Sequence, residues 1–270
     1  MDNRPIGFFD SGIGGLTSIP YIMRELPNER IIFYGDTART PYGSKSVGTI
    51  RDFAFQIADF LDSQNVKMMV IACNTITASA LDALRERYSN IPIVGCISPT
   101  ARKAARIFSP EDRPGLIATK ATVRSGAYEQ KIREYNPRLR ICSKACPALV
   151  PLIEEGIIKS EIMDLTLKHY LDDFIKENDL NGLILGCTHY PLVAENIRRL
   201  YPELKILSSS KEVAMAVKYE LEKNDMLAGE RSGENTFFAS DLSDSFVNMI
   251  ELILGQDKEE LNIKFKNFEI

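Results

Sequence analysis

VIACNT at Val70–Thr75 is echoed 114 residues later, from Cys73 to Cys187, by ILGCTH at Ile184–His189. Each copy is an apolar run, a small residue, a cysteine and two polar residues. A short apolar run bounded by polar residues reads as a buried strand, and the polar residues after it read as the opening of a helix. Two such units one domain-length apart predict two similar α/β domains, with one thiol at the carboxyl end of a strand in each. Ligands of open α/β sheets bind at those ends.

The same alternation extends in both directions. Strands are expected at Pro5–Asp10, Arg30–Asp36, Lys67–Cys73, Ile91–Cys96, Gly115–Thr119, Arg138–Cys142, Asn181–Cys187, Leu204–Leu207 and Asn235–Ala239. Helical periodicity lies between them at Thr49–Gln64, Ala78–Tyr88, Val123–Tyr135, Glu161–Glu177, Val193–Tyr201 and Lys211–Lys223. Strands separated by helices predict βαβ units and mostly parallel sheets. About nine strands exceed one comfortable sheet, so two domains are expected. The turns at Ser98-Pro99 and Ser109-Pro110 and the Ser208–Ser210 run are the candidate boundaries. They suggest a discontinuous first domain, residues 1–97 with 208–270, around a second domain of residues 98–207. Asp225–Glu234 reads as a polar loop.

The chain has 270 residues, 44% of them hydrophobic and 26% charged, with a net charge of −4. That composition fits a globular core and argues against disorder. Its mild acidity offers no footprint for nucleic acid or an anionic membrane. The opening MDNRPIGFFD lacks a basic segment followed by an apolar one, and no run of eighteen apolar residues occurs. Five cysteines, an odd number, suit a reduced cytoplasmic protein better than a disulfide framework. Two histidines, His169 and His189, and the lone Cys142/Cys146 pair do not make a zinc-ligand pattern, so no metal is expected.

A thiol at a helix N-terminus sits beside unpaired N–H groups and the positive dipole end, which favour thiolate. Cys73 and Cys187 share that expected setting; a buried cysteine serving as a small apolar filler is the alternative for either. Asp10 ends the first strand and precedes Ser11-Gly12-Ile13-Gly14-Gly15, a glycine-rich turn able to hold an anion. The turn is neither GxGxxG nor a Walker loop, so no nucleotide cofactor is implied. It reads equally as a tight strand–helix turn capped by Asp10 or Ser11. His189 stands two residues beyond Cys187, where it can act as a general acid or orient the thiol. His169 falls within a helix, as a surface or packing residue. Glu154 and Glu155 follow an apolar, proline-bearing run and can be helix-surface charges. Thr119 and Thr122 flank a strand–helix turn, where they cap the helix or bind a carboxylate.

Several longer motifs then resemble glutamate racemases of the cofactor-independent aspartate/glutamate racemase family. They are FFDSGIGGL at Phe8–Leu16, YGDTARTPYGSKS at Tyr34–Ser46, VIACNT, ATKATVRSGAY at Ala118–Tyr128, ACPALVPLIEEG at Ala145–Gly156 and LGCTHYPL at Leu185–Leu192. The resemblance covers nearly the whole chain. It implies two α/β domains around a glutamate, Cys73 and Cys187 as the two bases, and Asp10, Glu154 and His189 as their helpers. It further implies substrate contacts from Asp10, Ser11, Tyr42, Gly43, Asn74, Thr75, Thr119, Thr122, Thr188 and His189, with no cofactor. D-glutamate for peptidoglycan, a cytoplasmic location and a homodimer are implied as well. Cys96-Ile97-Ser98-Pro99-Thr100 departs from the family pattern, which usually has Glu-Pro-Gly after the apolar residue. A racemase for aspartate or another amino acid is the nearest alternative. A non-catalytic two-lobed binding protein is the next, and a redox sensor is disfavoured because Cys-x-x-Cys is absent.

Overall fold

The computed structural model describes residues 1–268, with ten strands in two sheets. The strands are β1 (Ile6–Asp10), β2 (Ile31–Gly35), β3 (Met68–Ile71), β4 (Ile93–Gly95), β5 (Pro114–Ala118), β6 (Cys142–Ala145), β7 (Gly182–Gly186), β8 (Lys205–Ser208), β9 (Thr236–Ala239) and β10 (Asn262–Phe265). The α-helices are α1 (Ile19–Glu25), α2 (Val47–Ser63), α3 (Asn74–Arg87), α4 (Ile97–Ile107), α5 (Lys120–Ser125), α6 (Ala127–Tyr135), α7 (Leu149–Glu154), α8 (Glu161–Asn178), α9 (Ala194–Leu200), α10 (Ser209–Lys223) and α11 (Asp244–Leu254). One sheet runs β10-β9-β2-β1-β3-β4 and the other β6-β5-β7-β8, and every pairing is parallel.

Within the first sheet, β2-β1-β3-β4 has the same order as β6-β5-β7-β8 in the second, so the sequence echo is a topological repeat. β1 is followed by β2 on one side and β3 on the other, and β5 is flanked likewise by β6 and β7. These are the switch points, where the loops leaving adjacent strands diverge and open a crevice. Cys73 lies just beyond β3, and Cys187 directly follows β7.

Helices on both faces bury the central strands, which is why they read as unbroken apolar runs. Every residue of β1, β2, β3 and β7 is buried. α2 buries Ile50, Ala54, Ile57, Ala58 and Leu61 along one stripe, and Ser46 caps it by accepting the Thr49 N–H. At the opposite end of the first sheet, Lys67 and Glu29 form a buried ion pair of 2.6 Å. The Lys67 ammonium also donates to the carbonyls of Asp2 and Met226, and Glu29 accepts the Ala228 N–H. Those bonds supply the partners that a buried charge needs, and they tie the N-terminal residues and the loop after α10 to the sheet.

Four expectations are corrected. The strand placed at Arg138–Cys142 runs instead over Cys142–Ala145. It is an edge strand with half-buried residues, so its polar Ser143 and Lys144 hid it while the alternating residues ahead of it mimicked it. The helix expected over Val123–Tyr135 is two helices, α5 and α6, because Gly126 turns the chain at φ 62°. The segment after Cys187 does not open directly into an α-helix; a 3₁₀ turn at Tyr190–Val193 precedes α9. The glycine-rich turn is not capped by Asp10 or Ser11: Ile13 precedes its 3₁₀ helix, Gly14–Ser18, and makes no side-chain cap. Strand β10 and helices α1, α4, α7 and α11 add to the strands and helices expected from the sequence.

Candidate active site

Asp10, Cys73, Thr119 and Cys187 occupy the carboxyl ends of β1, β3, β5 and β7, the four strands that flank the two switch points. The two sheets direct these ends toward one another. The Thr188 hydroxyl donates to Asp10 Oδ2 at 3.2 Å, and Thr75 and Thr119 hydroxyls meet at 2.9 Å. Each bond joins a residue of one sheet's loops to a residue of the other's.

On the first side, Cys73 is the N-cap of α3, and its sulfur accepts the Ile76 N–H at 3.5 Å. The thiol donates to Ser11 Oγ at 3.4 Å. Cap geometry alone would lower its pKa, as expected from sequence. Burial outweighs it, and with the nearby Asp10 carboxylate pushes the thiol up to about 12. Cys73 is therefore a neutral thiol at neutral pH. The Asp10 carboxylate is held by two donors: its Oδ1 accepts the Gly12 N–H at 2.9 Å and its Oδ2 the Thr188 hydroxyl. Burial raises the Asp10 carboxyl pKa, opposed by the His189 charge and these two donors.

On the second side the thiol has a relay behind it. Cys187 Sγ lies 3.8 Å from His189 Nδ1, and His189 Nε2 lies 2.9 Å from Glu154 Oε1. Burial by itself would lower the histidine pKa. The hydrogen bonds to Cys187 and Glu154 outweigh it and hold the imidazole well above its ordinary value. The imidazolium therefore sets a cation between the Glu154 carboxylate and the Cys187 sulfur. The two sides are thus chemically unequal.

Cys73 and Cys187 line one cavity of 110 Å³. Ser11, Tyr42, Gly43, Asn74, Thr75, Thr119, Thr188 and His189, all expected from sequence, line it too. Asp10, Thr122 and Glu154 stand behind this wall, holding Thr188, Thr119 and His189 in turn. Sequence reasoning passed over Thr40, Pro41, Ser44, Lys120, Pro147 and Val150 in the lining. Their signal was adjacency, since each lies within a quoted motif or beside a named residue. Glycine permits the close approach: a Cβ on Gly43 would stand 2.8 Å from Thr119 Cβ. Tyr42 is fixed from behind, donating its hydroxyl to Asp36, which also pairs with Arg39 at 2.7 Å. His169 lies on the α8 surface against Tyr170. Cys96 is buried at the α4 entrance beside Thr77. A larger groove of 780 Å³, lined by Arg85, Arg102 and Lys211 among others, contains none of the expected site residues.

Two parallel α/β units with a thiol from each on one cavity define a class, and the chain belongs to the Asp/Glu/Hydantoin racemase family, whose profile matches residues 21–217. It is 43% identical over 252 residues to the glutamate racemase of Persephonella marina, covering 93% of this chain and 94% of that one. The crystal structure of glutamate racemase from Francisella tularensis in complex with D-glutamate aligns with a TM-score of 0.90 at 38% identity, covering 100% and 98% of the two chains. Glutamate racemase RacE1 from Bacillus anthracis aligns at 0.91 with 35% identity, covering 100% and 99%. The aspartate racemase of Picrophilus torridus, at 0.52 and 18% identity, shares the fold alone.

Proposed function

We propose that this protein racemises glutamate by two-thiol acid/base chemistry without a cofactor. The observation that carries this reading is the pair of thiols at equivalent strand ends of two repeated units, both facing one cavity. Inverting an α-carbon requires a proton to leave one face and another to arrive on the opposite face. Two bases do this without either having to cross the planar intermediate. Cys187, with His189 and Glu154 behind it, is suited to remove the proton from L-glutamate. Cys73, held as a neutral thiol, is suited to deliver one, and the roles reverse for D-glutamate. Ser11, Asn74, Thr75, Thr119 and Thr188 surround the cavity with donors for carboxylates and for charge developing on the intermediate. Asp10 and Thr122 act through Thr188 and Thr119. Enclosure between the lobes keeps water from competing for the proton.

The high identity to glutamate racemases, against a fold-level likeness to an aspartate racemase, favours glutamate over aspartate. We assign residues 1–97 and 208–270 to one domain and 98–207 to the other, a division supported by the strand membership of the two sheets. Among the described residues no helix is long and apolar enough to cross a membrane. The reading places the enzyme in the cytoplasm, as a homodimer, supplying D-glutamate for peptidoglycan. Circular dichroism of purified protein with L-glutamate and no added cofactor tests it. The signal should decay to the racemic zero. Cys73→Ala and Cys187→Ala should each abolish the decay while remaining folded, whereas Cys96→Ala, Cys142→Ala and Cys146→Ala should retain activity. Full activity in either cavity variant rejects the assignment.

A further inference from the structure

Asn74 lines the cavity, yet only one end of its amide is satisfied by the protein. Its Oδ1 accepts the Tyr128 hydroxyl at 2.7 Å. Its Nδ2 is buried without a protein partner, although the residue is 2% exposed. An unmet buried donor costs about 1–3 kcal/mol, so a group set there has a use for it. Tyr128 is itself fully buried on α6, in the unit of the second sheet, while Asn74 opens α3 in the unit of the first.

We infer that Tyr128 is a positioning residue: it selects the orientation of the Asn74 amide, so that Nδ2 is offered to a ligand carboxylate in the cavity. An asparagine amide has two orientations of nearly equal shape and opposite polarity. The inverted one would turn Oδ1, an acceptor, toward an anionic ligand and repel it. The tyrosine hydroxyl, a donor held against one end of the amide, favours the productive orientation. The neighbouring hydroxyl of Thr100 spends its own proton on the Cys96 carbonyl, at 2.8 Å, so it does not compete as a donor for Asn74 Oδ1. Because the bond spans the two units, it forms only when they are assembled around the cavity.

The inference rests on the glutamate reading and is tested with Tyr128→Phe, which removes one oxygen and keeps the ring. In Tyr128→Phe, kcat/KM should fall about ten-fold, mainly through a higher KM, with the melting temperature near that of the wild type. The fall must be equal in both directions, because two enantiomers have an equilibrium constant of one. In an Asn74→Ala background the same substitution should cost nothing further, since its effect passes through the amide. Unchanged kcat/KM in Tyr128→Phe, or the same ten-fold loss when Asn74 is absent, overturns the inference. A wild-type protein that turns over no glutamate rejects the glutamate reading instead. Calorimetric titration of the four proteins with D-glutamate then reads the same ten-fold difference as affinity.

Discussion

Cys73 carries two opposed influences, and their magnitudes decide its state. A helix N-terminus is worth roughly 0.3–1 kcal/mol to a nearby anion, less than one pKa unit, whereas burial here lifts the thiol from 9.0 to about 12. The sign for stability follows. Unfolded Cys73 ionises near 9 and folded Cys73 near 12, so the folded state is favoured fully below pH 9 and loses that advantage as pH rises toward 12. Relative to Cys73→Ser, the wild type should lose about 1.4 kcal/mol between pH 8 and pH 10, measured by urea unfolding at each pH. A pH-independent difference would mean that the thiol ionises near 9 in the fold as well, and a gain of stability over this range would mean that it is already ionised there. The raised imidazole of His189 has the opposite biological use: it remains a cation beside Cys187. The identities of these groups were legible in the sequence, because each ends an apolar run or opens a helix. Their protonation was not, because burial depends on the second sheet closing over the first.

The loop after β1 shows how an element's backbone sets the chemistry of a distant one. Gly14 lies under the loop that follows β7, where a Cβ would stand 2.4 Å from His189 Nδ1 and 2.5 Å from Thr188 Oγ1. Such a contact cannot be met by a small adjustment, since His189 is tethered at its far nitrogen by Glu154. Gly14→Ala should therefore move the imidazole away from Cys187 and lower kcat by about 100-fold, the scale of losing a general-base partner. The expected loss is in kcat rather than in secondary structure, so stopped-time racemisation and far-ultraviolet circular dichroism should diverge. Wild-type kcat would refute this account. The glycine run itself stood out in the sequence, but only as a tight turn or an anion cradle; that it shelters a histidine 175 residues away follows from the packing. Elements of strong apolar periodicity, such as α2 and α8, were legible almost to their ends. β6 was misplaced because an edge strand needs no buried face, and the α5–α6 break was missed because one glycine in a periodic run does not announce a positive φ.

At the scale of the whole molecule, two four-strand units of the same order share one crevice and supply one sulfur each. A hydroxyl chain braces the join. Ser208 bonds to Ser210, Ser210 to Thr17, and Thr17 to the Thr188 carbonyl at 3.1 Å, all behind the cavity. The crossover from β8 into α10 is thereby tied to both loops that carry active groups. The repeated strand–Cys unit made this architecture readable from the sequence, although the bracing hydroxyls were visible only as a serine run at a boundary. If each lobe presents its own base to one face of the substrate, isotope should enter with direction. In D₂O the Cys73 thiol exchanges to S–D before L-glutamate binds, while Cys187 enters as the unprotonated base. L-glutamate carrying protium then loses it to Cys187, and Cys73 delivers deuterium from the other lobe. D-glutamate formed at low conversion should contain α-deuterium while the remaining L-glutamate stays largely protiated. Starting from D-glutamate should give the mirror result. Chiral separation followed by mass spectrometry reads both pools. A single base reaching both faces would return protium to the early product or label substrate and product together, and either outcome would reject one sulfur per lobe.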